Sequence, residues 1–314
     1  MILLLEPQRP AGFVSGGYRY QAEIARRLAA RGEGELRAVA PGQFAAAVAA
    51  ATATQAVVVV DGLFVTRTRR VLPAGVVALL HGAPELAPWA AAPLPVIATS
   101  QPTADAVAAA ACRVEVVRPG LDACFRPGPA AAPARRRRVV CIGTVCPGKG
   151  QLLVARALAT APAAGPCDLV LLGDRNLAPD YVREVEAAAA PCTLHLRGVL
   201  PPAEVAVELQ RAELCVSASR DESFGMAVAE AAACGVPVLA FATGEIPTFV
   251  HDGRNGWLVP ASAPDAAFQR RLHEVLGDGR QLARARAAAV LPPLAPWDDV
   301  ASRFARACTD LQRS

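Results

Sequence analysis

The segment Leu214-Cys215-Val216-Ser217-Ala218-Ser219-Arg220-Asp221-Glu222-Ser223-Phe224-Gly225-Met226-Ala227-Val228-Ala229-Glu230, continuing through Ala231 to Cys234 into Gly235-Val236-Pro237-Val238-Leu239-Ala240, determines how the chain is read. A short apolar run leads into a polar loop and then an Ala-rich stretch of helical composition. The stretch breaks at Gly235 and a second apolar run begins. Strand, helix, strand is the unit of a parallel sheet, because parallel neighbours need a crossover. Two carboxylates, Glu222 and Glu230, flank the loop-to-helix junction with seven residues between them. The first stands at the junction and the second inside the helix. Such a pair can hold a polyhydroxylated ligand at two points, with the helix N-terminus between them facing an anion.

The same alternation runs from end to end. Apolar runs predict strands over 2–5, 36–40, 56–60, 76–80, 96–98, 114–117, 139–142, 169–172, 194–196, 214–217, 238–240 and 257–259. Helical stretches lie between most of them, among them 18–30, 102–111, 151–159, 179–189 and 202–210. Continuously apolar strands alternating with helices indicate parallel sheets covered on both faces. Pro, Gly and Ala dominate from Phe125 to Pro133, and Arg135 to Arg138 precede a new strand. This break reads as an interdomain linker over 126–138, its arginines forming either a solvated face or an anion patch. It separates an N-terminal α/β domain, 1–125, from a C-terminal one, 139–296. Residues 297–314 follow a Pro-rich break with helical period, and are expected to cross back to the first domain.

The 314 residues suffice for two domains of ordinary size. With 53% hydrophobic and 19% charged residues, packed cores are expected and wholesale disorder is not. A formal charge of +4 argues by itself for neither nucleic acid nor membrane. The nine cysteines form no CxxC pair and read as buried free thiols in a reducing cytosol. Met1-Ile2-Leu3-Leu4-Leu5 reads as a first strand and not as a signal peptide, and no stretch reaches transmembrane length without charge or Pro. The expected localisation is cytoplasmic.

Chemistry in such folds sits just after strands. Gly16-Gly17 opens the first helical stretch, either as an ordinary Gly-rich turn or as a place where backbone N–H groups approach a phosphate. Gly143-Thr144-Val145-Cys146-Pro147-Gly148-Lys149-Gly150 follows the seventh strand, and Lys149 at a helix entrance is placed to neutralise a diphosphate or to be solvated in a turn. Backbone amides of Phe224, Gly225 and Met226 open the next helix toward the same anion. Glu230 inside its helix must reach solvent, a cation or ligand hydroxyls, since burial unpaired is costly. His81 ends the strand 76–80, facing a crevice or serving as a structural hydrogen-bonder. His195, His251 and His273 lack metal-ligand spacing, and there is no D-x-D cluster, Walker A, GxGxxG or GxSxG pattern.

Taken together these segments resemble the retaining GT-B glycosyltransferases of glycosyltransferase family 4, the glycosyl transferases group 1. The resemblance covers nearly the whole chain. It rests on Gly16-Gly17, on Arg118-Pro119-Gly120-Leu121-Asp122 with Phe125, and on Gly143 with Lys149-Gly150. Leu196-Arg197-Gly198-Val199, the Glu222–Glu230 run and Asp252-Gly253-Arg254-Asn255-Gly256-Trp257-Leu258-Val259 complete it. It implies a GT-B fold, two Rossmann-like domains facing across a cleft. It implies that Glu222 contacts hydroxyls of the transferred sugar and Glu230 the nucleotide ribose. Lys149 binds the diphosphate, helped by amides near Gly225 and Met226 and by Gly16-Gly17. The backbone at Gly198 and Val199 borders the base, and His81 lies near the reaction centre. Thr144 belongs to the donor site, at the place where the family usually carries an Arg, and Arg220 or an Arg of the first domain is the candidate replacement.

The resemblance further implies a UDP- or GDP-sugar donor, retention of anomeric configuration and no bound metal or cofactor. Retention needs no enzyme nucleophile if the departing phosphate deprotonates the acceptor on the same face. The acceptor, whether carbohydrate, lipid-linked or small molecule, is left open, and nucleic acid is not expected. A GT-B epimerase or phosphorylase and a non-catalytic nucleotide-sugar binder are the alternatives. Arg19, Arg26, Arg27 and Arg31, with Arg67, Arg69 and Arg70, form basic clusters that suit either a solvated face or peripheral contact with anionic lipid.

Overall fold

The computed structural model describes residues 1–9, 15–64, 75–82, 94–111, 113–128, 136–161, 165–190, 192–289, 292 and 294–312. The chain forms two compact units, Met1–Ala11 with Gly16–Leu121 and Leu294–Ser314, and Gly12–Ser15 with Asp122–Pro293.

In the first unit six parallel strands lie in the order β2-β1-β3-β4-β5-β6. They are β1 (Ile2–Pro7), β2 (Gly34–Val39), β3 (Val57–Asp61), β4 (Val76–Leu80), β5 (Pro95–Ala98) and β6 (Arg113–Val116). Every residue of β1, β3 and β4 is buried, as unbroken Val/Leu/Ile runs demand when both faces are covered. Its helices include α1 (Gly16–Ala30), α2 (Phe44–Thr52) and α3 (Gln101–Val107).

The second unit repeats the plan with the order β12-β11-β10-β7-β8-β9, again all parallel. Its strands are β7 (Arg137–Ile142), β8 (Cys167–Leu172), β9 (Thr193–Gly198), β10 (Leu214–Ser217), β11 (Val238–Ala242) and β12 (Gly256–Pro260). Between them run α4 (Gln151–Ala159), α5 (Pro179–Ala188), α6 (Pro202–Gln210), α7 (Met226–Ala233) and α8 (Ile246–Phe249), and α9 (Asp265–Gly277) and α10 (Gly279–Ala287) follow. Its core joins Val139, Leu169, Leu171 and Val216 of the sheet to Val154, Val185, Phe268 and Leu272 of the helices. Each such side chain contributes about 1.5–3 kcal/mol by leaving water.

Residues 297–314 belong to the first unit through α11 (Trp297–Gln312), which packs on α1 and on the sheet. Tyr20 of α1 meets Trp297 and Phe304 of α11 edge-on, with centroids 5.9 and 6.3 Å apart. Arg27 Nε lies 3.2 Å from Asp298 Oδ1, and Arg31 donates to Ser302 Oγ at 2.8 Å. Two arginines of the first basic cluster, Arg27 and Arg31, thus hold α11. Arg67, Arg69 and Arg70 lie outside the described residues.

All twelve expected strands are present, with ends moved by a residue or two. The main correction concerns the linker arginines. Arg136 pairs with Asp168 at 2.6 Å, Arg137 with Glu213 at 2.8 Å, and Arg138 with the buried Glu208. These pairs draw Arg137 and Arg138 into β7, so this part of the run is neither a solvated linker face nor a free anion patch. Eight cysteines are free thiols, five of them buried. Burial pushes Cys215 up to about 12 and Cys167 to about 12, so they act as apolar fillers and not as nucleophiles. Cys112 lies outside the described residues.

Candidate functional site

An open parallel sheet binds ligands outside the C-terminal ends of its strands, where the strand order reverses. In the second sheet that point lies between β7 and β10. The segments that follow these two strands carry Lys149 and Glu222.

After β7 the chain turns through Gly143 at φ +142° and Thr144, makes a short 3-10 turn over Pro147–Lys149, and enters α4 through Gly150 at φ +69°. The left-handed backbone at Gly150 admits no side chain, because a Cβ there would lie 2.4 Å from the Ala218 carbonyl. That close approach brings the β7 turn against the end of β10. The stem of Lys149 lies along Gly143. Its Nζ stands 2.5 Å from Glu222 Oε1, with the Lys and Glu side chains 36% and 19% exposed. The two sequence-predicted groups, 73 residues apart in the chain, are therefore one ion pair. Thr144 is buried, and its carbonyl accepts from Gln151 Nε2 at 2.9 Å.

Glu222 is held by its backbone. Gly244, after β11, sits so close that a Cβ would lie 2.1 Å from the Glu222 carbonyl, and Glu245 N–H donates to the Ser223 carbonyl at 3.0 Å. Phe224 is buried against Phe249, and Gly225 at φ +83° is the N-cap of α7. No side chain caps α7, and its first turn, from Met226, holds no acid. Its leading N–H groups thus keep their positive end available for an anion. Glu230 is only 4% exposed, with Cys215 and Cys234 as neighbours. Of the three outcomes open to this carboxylate, burial removes solvent and leaves a cation or ligand hydroxyls. Gly198 ends β9 at φ +69°, and Val199 beside it is 49% exposed. Arg220, the candidate replacement near Thr144, is engaged with other groups. Its guanidinium stacks on Phe241 at 4.0 Å and pairs with Asp265 at 2.7 Å.

In the first sheet the order reverses between β1 and β3. Here α1, which follows β1, places Gln21 against Asp61 at the end of β3 and His81 just past β4. Gln21 Nε2 donates to Asp61 Oδ2 and lies 3.3 Å from His81 Nε2. Gly17 packs on the imidazole, since a Cβ there would meet Cδ2 and Cγ of His81 at 3.0 Å. Gly16 is exposed beside it. Burial lowers the His81 pKa against the opposing pull of Asp61, so the ring is neutral at neutral pH.

Sequence reasoning missed Gln21, Asp61, Gly173 and Gly244. Asp61 had a signal, an acid ending an all-valine run. Gly173 had one also, since it ends β8 as Gly143 ends β7; a Cβ on it would strike the Gly143 carbonyl at 2.2 Å. Gln21 and Gly244 act through contacts distant in sequence and carry no local signature. Among the described residues no helix is long and apolar enough to cross a membrane, and no group of three or more His, Cys, Asp or Glu could hold a metal ion.

The family described as Glycosyl transferases group 1 matches residues 136–278. The D-inositol 3-phosphate glycosyltransferase of Xylanimonas cellulosilytica is 35% identical over 209 residues, 60% of this chain and 49% of that protein. The match thus spans about half the length of that curated relative. Among solved structures, Anabaena HepE in complex with UDP and glucose aligns over 98% of this chain and 99% of its own, at a TM-score of 0.72 and 20% identity. Sucrose-phosphate synthase from Thermosynechococcus elongatus aligns over 99% of both chains at a TM-score of 0.73 and 18% identity.

Proposed function

We propose that this chain, a GT-B protein whose residues 136–278 match the glycosyl transferases group 1, is a retaining glycosyltransferase that moves a sugar from a UDP- or GDP-linked donor to a hydroxyl acceptor without a metal ion. The observation that carries this reading is the Lys149–Glu222 pair beside the open N-terminus of α7. Departure of a nucleoside diphosphate from an anomeric carbon builds negative charge on the leaving phosphate. Lys149 and the amides at Gly225 and Met226 are the preorganised positive groups for it. When the diphosphate engages Lys149, Glu222 is released to accept hydrogen bonds from the sugar hydroxyls. Glu230 receives the ribose hydroxyls, and the backbone at Gly198 and Val199 borders the base. Thr144 and Gly16-Gly17 are assigned to donor binding, and His81 to the reaction. The bond from the anomeric carbon to the phosphate oxygen breaks as that to the acceptor oxygen forms on the same face. The acceptor proton passes to the leaving phosphate.

The test is release of UDP or GDP from a panel of nucleotide sugars in EDTA. Turnover is expected in the wild type and should fall 100-fold or more in Lys149→Ala and Glu222→Ala, the usual cost of losing a transition-state charge partner. Full-rate turnover in both variants contradicts the reading. A second reading, a nucleotide-sugar binder without turnover, draws on Thr144 and on the commitment of Arg220 to Asp265, which leave the leaving group one cation fewer. Nucleotide-induced stabilisation with no donor cleavage across an acceptor panel supports that reading instead.

A further inference from the structure

We propose that Gln21 is a positioning residue that fixes neutral His81 as the Nδ1-protonated tautomer, so that the ring offers substrate an N–H donor and not a basic nitrogen. The chain of reasoning begins at Asp61, 3% exposed, whose Oδ1 accepts from Leu63 N–H at 2.8 Å. A carboxylate only accepts hydrogen bonds. It therefore selects the amino side of the Gln21 amide, as the contact of Gln21 Nε2 with Asp61 Oδ2 records. Gln21 is itself only 1% exposed, so the amide has no solvent to turn toward. An amino group carries two hydrogens. The second faces His81 Nε2 at 3.3 Å, and Nε2 must then be the acceptor. In a neutral imidazole the proton is left at Nδ1.

Asp61 does not set the tautomer directly, since its Oδ2 is 4.0 Å from His81 Nε2. The ring is also held against rotation. Gly17 lies flat against it, and Tyr20 meets it edge-on with centroids 5.4 Å apart. Tyr20 is anchored in turn by its hydroxyl, which donates to the Val117 carbonyl at 3.0 Å. Nδ1 has no hydrogen-bond partner among the described residues, and the side chain is 21% exposed. The free N–H suits an oxygen acceptor such as a sugar hydroxyl or a phosphate oxygen, and it cannot abstract a proton. The catalytic consequence rests on the role given to His81 above; the tautomer does not.

The experiment is long-range proton–nitrogen correlation of the four histidine rings in 15N-labelled protein at neutral pH, with His81 assigned by its loss in His81→Gln. Nδ1 of His81 is expected to resonate as the protonated nitrogen and Nε2 as the bare one; the reverse pattern overturns the proposal. In Gln21→Met, shown to be folded by circular dichroism, the single-tautomer pattern should give way to a mixture, and donor turnover should fall about tenfold, the value of one hydrogen bond. A folded Gln21→Met that keeps the pure pattern removes the role from Gln21. If that variant does not fold, Asp61→Asn is read in its place: freeing the amide to flip must mix the tautomers, and an unmixed pattern overturns the proposal. A wild type with the expected tautomer whose His81→Gln variant turns over at full rate refutes only His81's part in the reaction.

Discussion

Glu6 shows what the first unit gives up to keep acids near its switch point. It stands next to last in a buried strand, is 3% exposed, and its Oε2 has no hydrogen-bond partner among the described residues. Burial raises its pKa, Arg9 opposes this, and Asp61 adds to it. The sign follows by linkage. A folded-state pKa above the unfolded value means that the native chain binds more protons, so this group's contribution to stability is fully present below about pH 4.5 and is lost as pH rises through the folded value. Glu6→Gln should therefore match the wild type near pH 4 and be the more stable of the two at pH 8, measured by urea unfolding. A variant less stable at pH 8 shows that the carboxylate is instead held by a favourable contact. At this level the sequence was legible in the placement of groups that follow strands, His81 directly after β4 and Lys149 and Glu222 in the loops beyond β7 and β10. It was opaque where partners are far apart in the chain, as with Gln21 and Asp61, 40 residues distant. The burial of Glu230 was left open, because helix position alone does not say which face of a short helix meets the sheet.

Among the elements, the two glycines that close tight contacts make the sharpest predictions. Gly120 meets α11 so closely that a Cβ would stand 2.7 Å from Trp297 Cδ2 and 2.9 Å from its Cα. Gly120→Ala should destabilise by about 1–3 kcal/mol through overpacking, whereas Gly42→Ala, with open space around it, should lie within about 0.5 kcal/mol of wild type. Equal thermal midpoints for the two variants contradict this packing. Gly244→Ala forces a side chain onto the Glu222 and Ser223 carbonyls at φ +54°. Donor turnover should drop at least tenfold while affinity for free nucleotide is kept, because Lys149 is untouched. Equal loss of both shows that the loop holds more than Glu222. The strands were readable in advance because unbroken Val/Leu runs have few alternatives. The path of the linker arginines was not, because Asp168, Glu208 and Glu213 are contributed by distant segments.

At the level of the molecule, the order of the second sheet read from β9 to β12 is 3-2-1-4-5-6, and that of the first is 2-1-3-4-5-6, two versions of one doubly wound plan. Each sheet reverses beside a polar cluster: Gln21, Asp61 and His81 in the first, Lys149 and Glu222 in the second. In the second unit Lys149 and Glu222 hold each other, so a diphosphate seated on Lys149, as proposed, competes with Glu222 for it. This competition separates the two side chains in a binding experiment. Titrate UDP and GDP calorimetrically into the wild type, Lys149→Ala and Glu222→Ala. For the nucleotide that binds, Lys149→Ala should weaken affinity tenfold or more, about 1.4 kcal/mol. Glu222→Ala should bind the bare diphosphate as tightly as the wild type or more tightly, its competitor removed. Equal weakening by both substitutions, or none by Lys149→Ala, contradicts a diphosphate seated on Lys149 in exchange for Glu222.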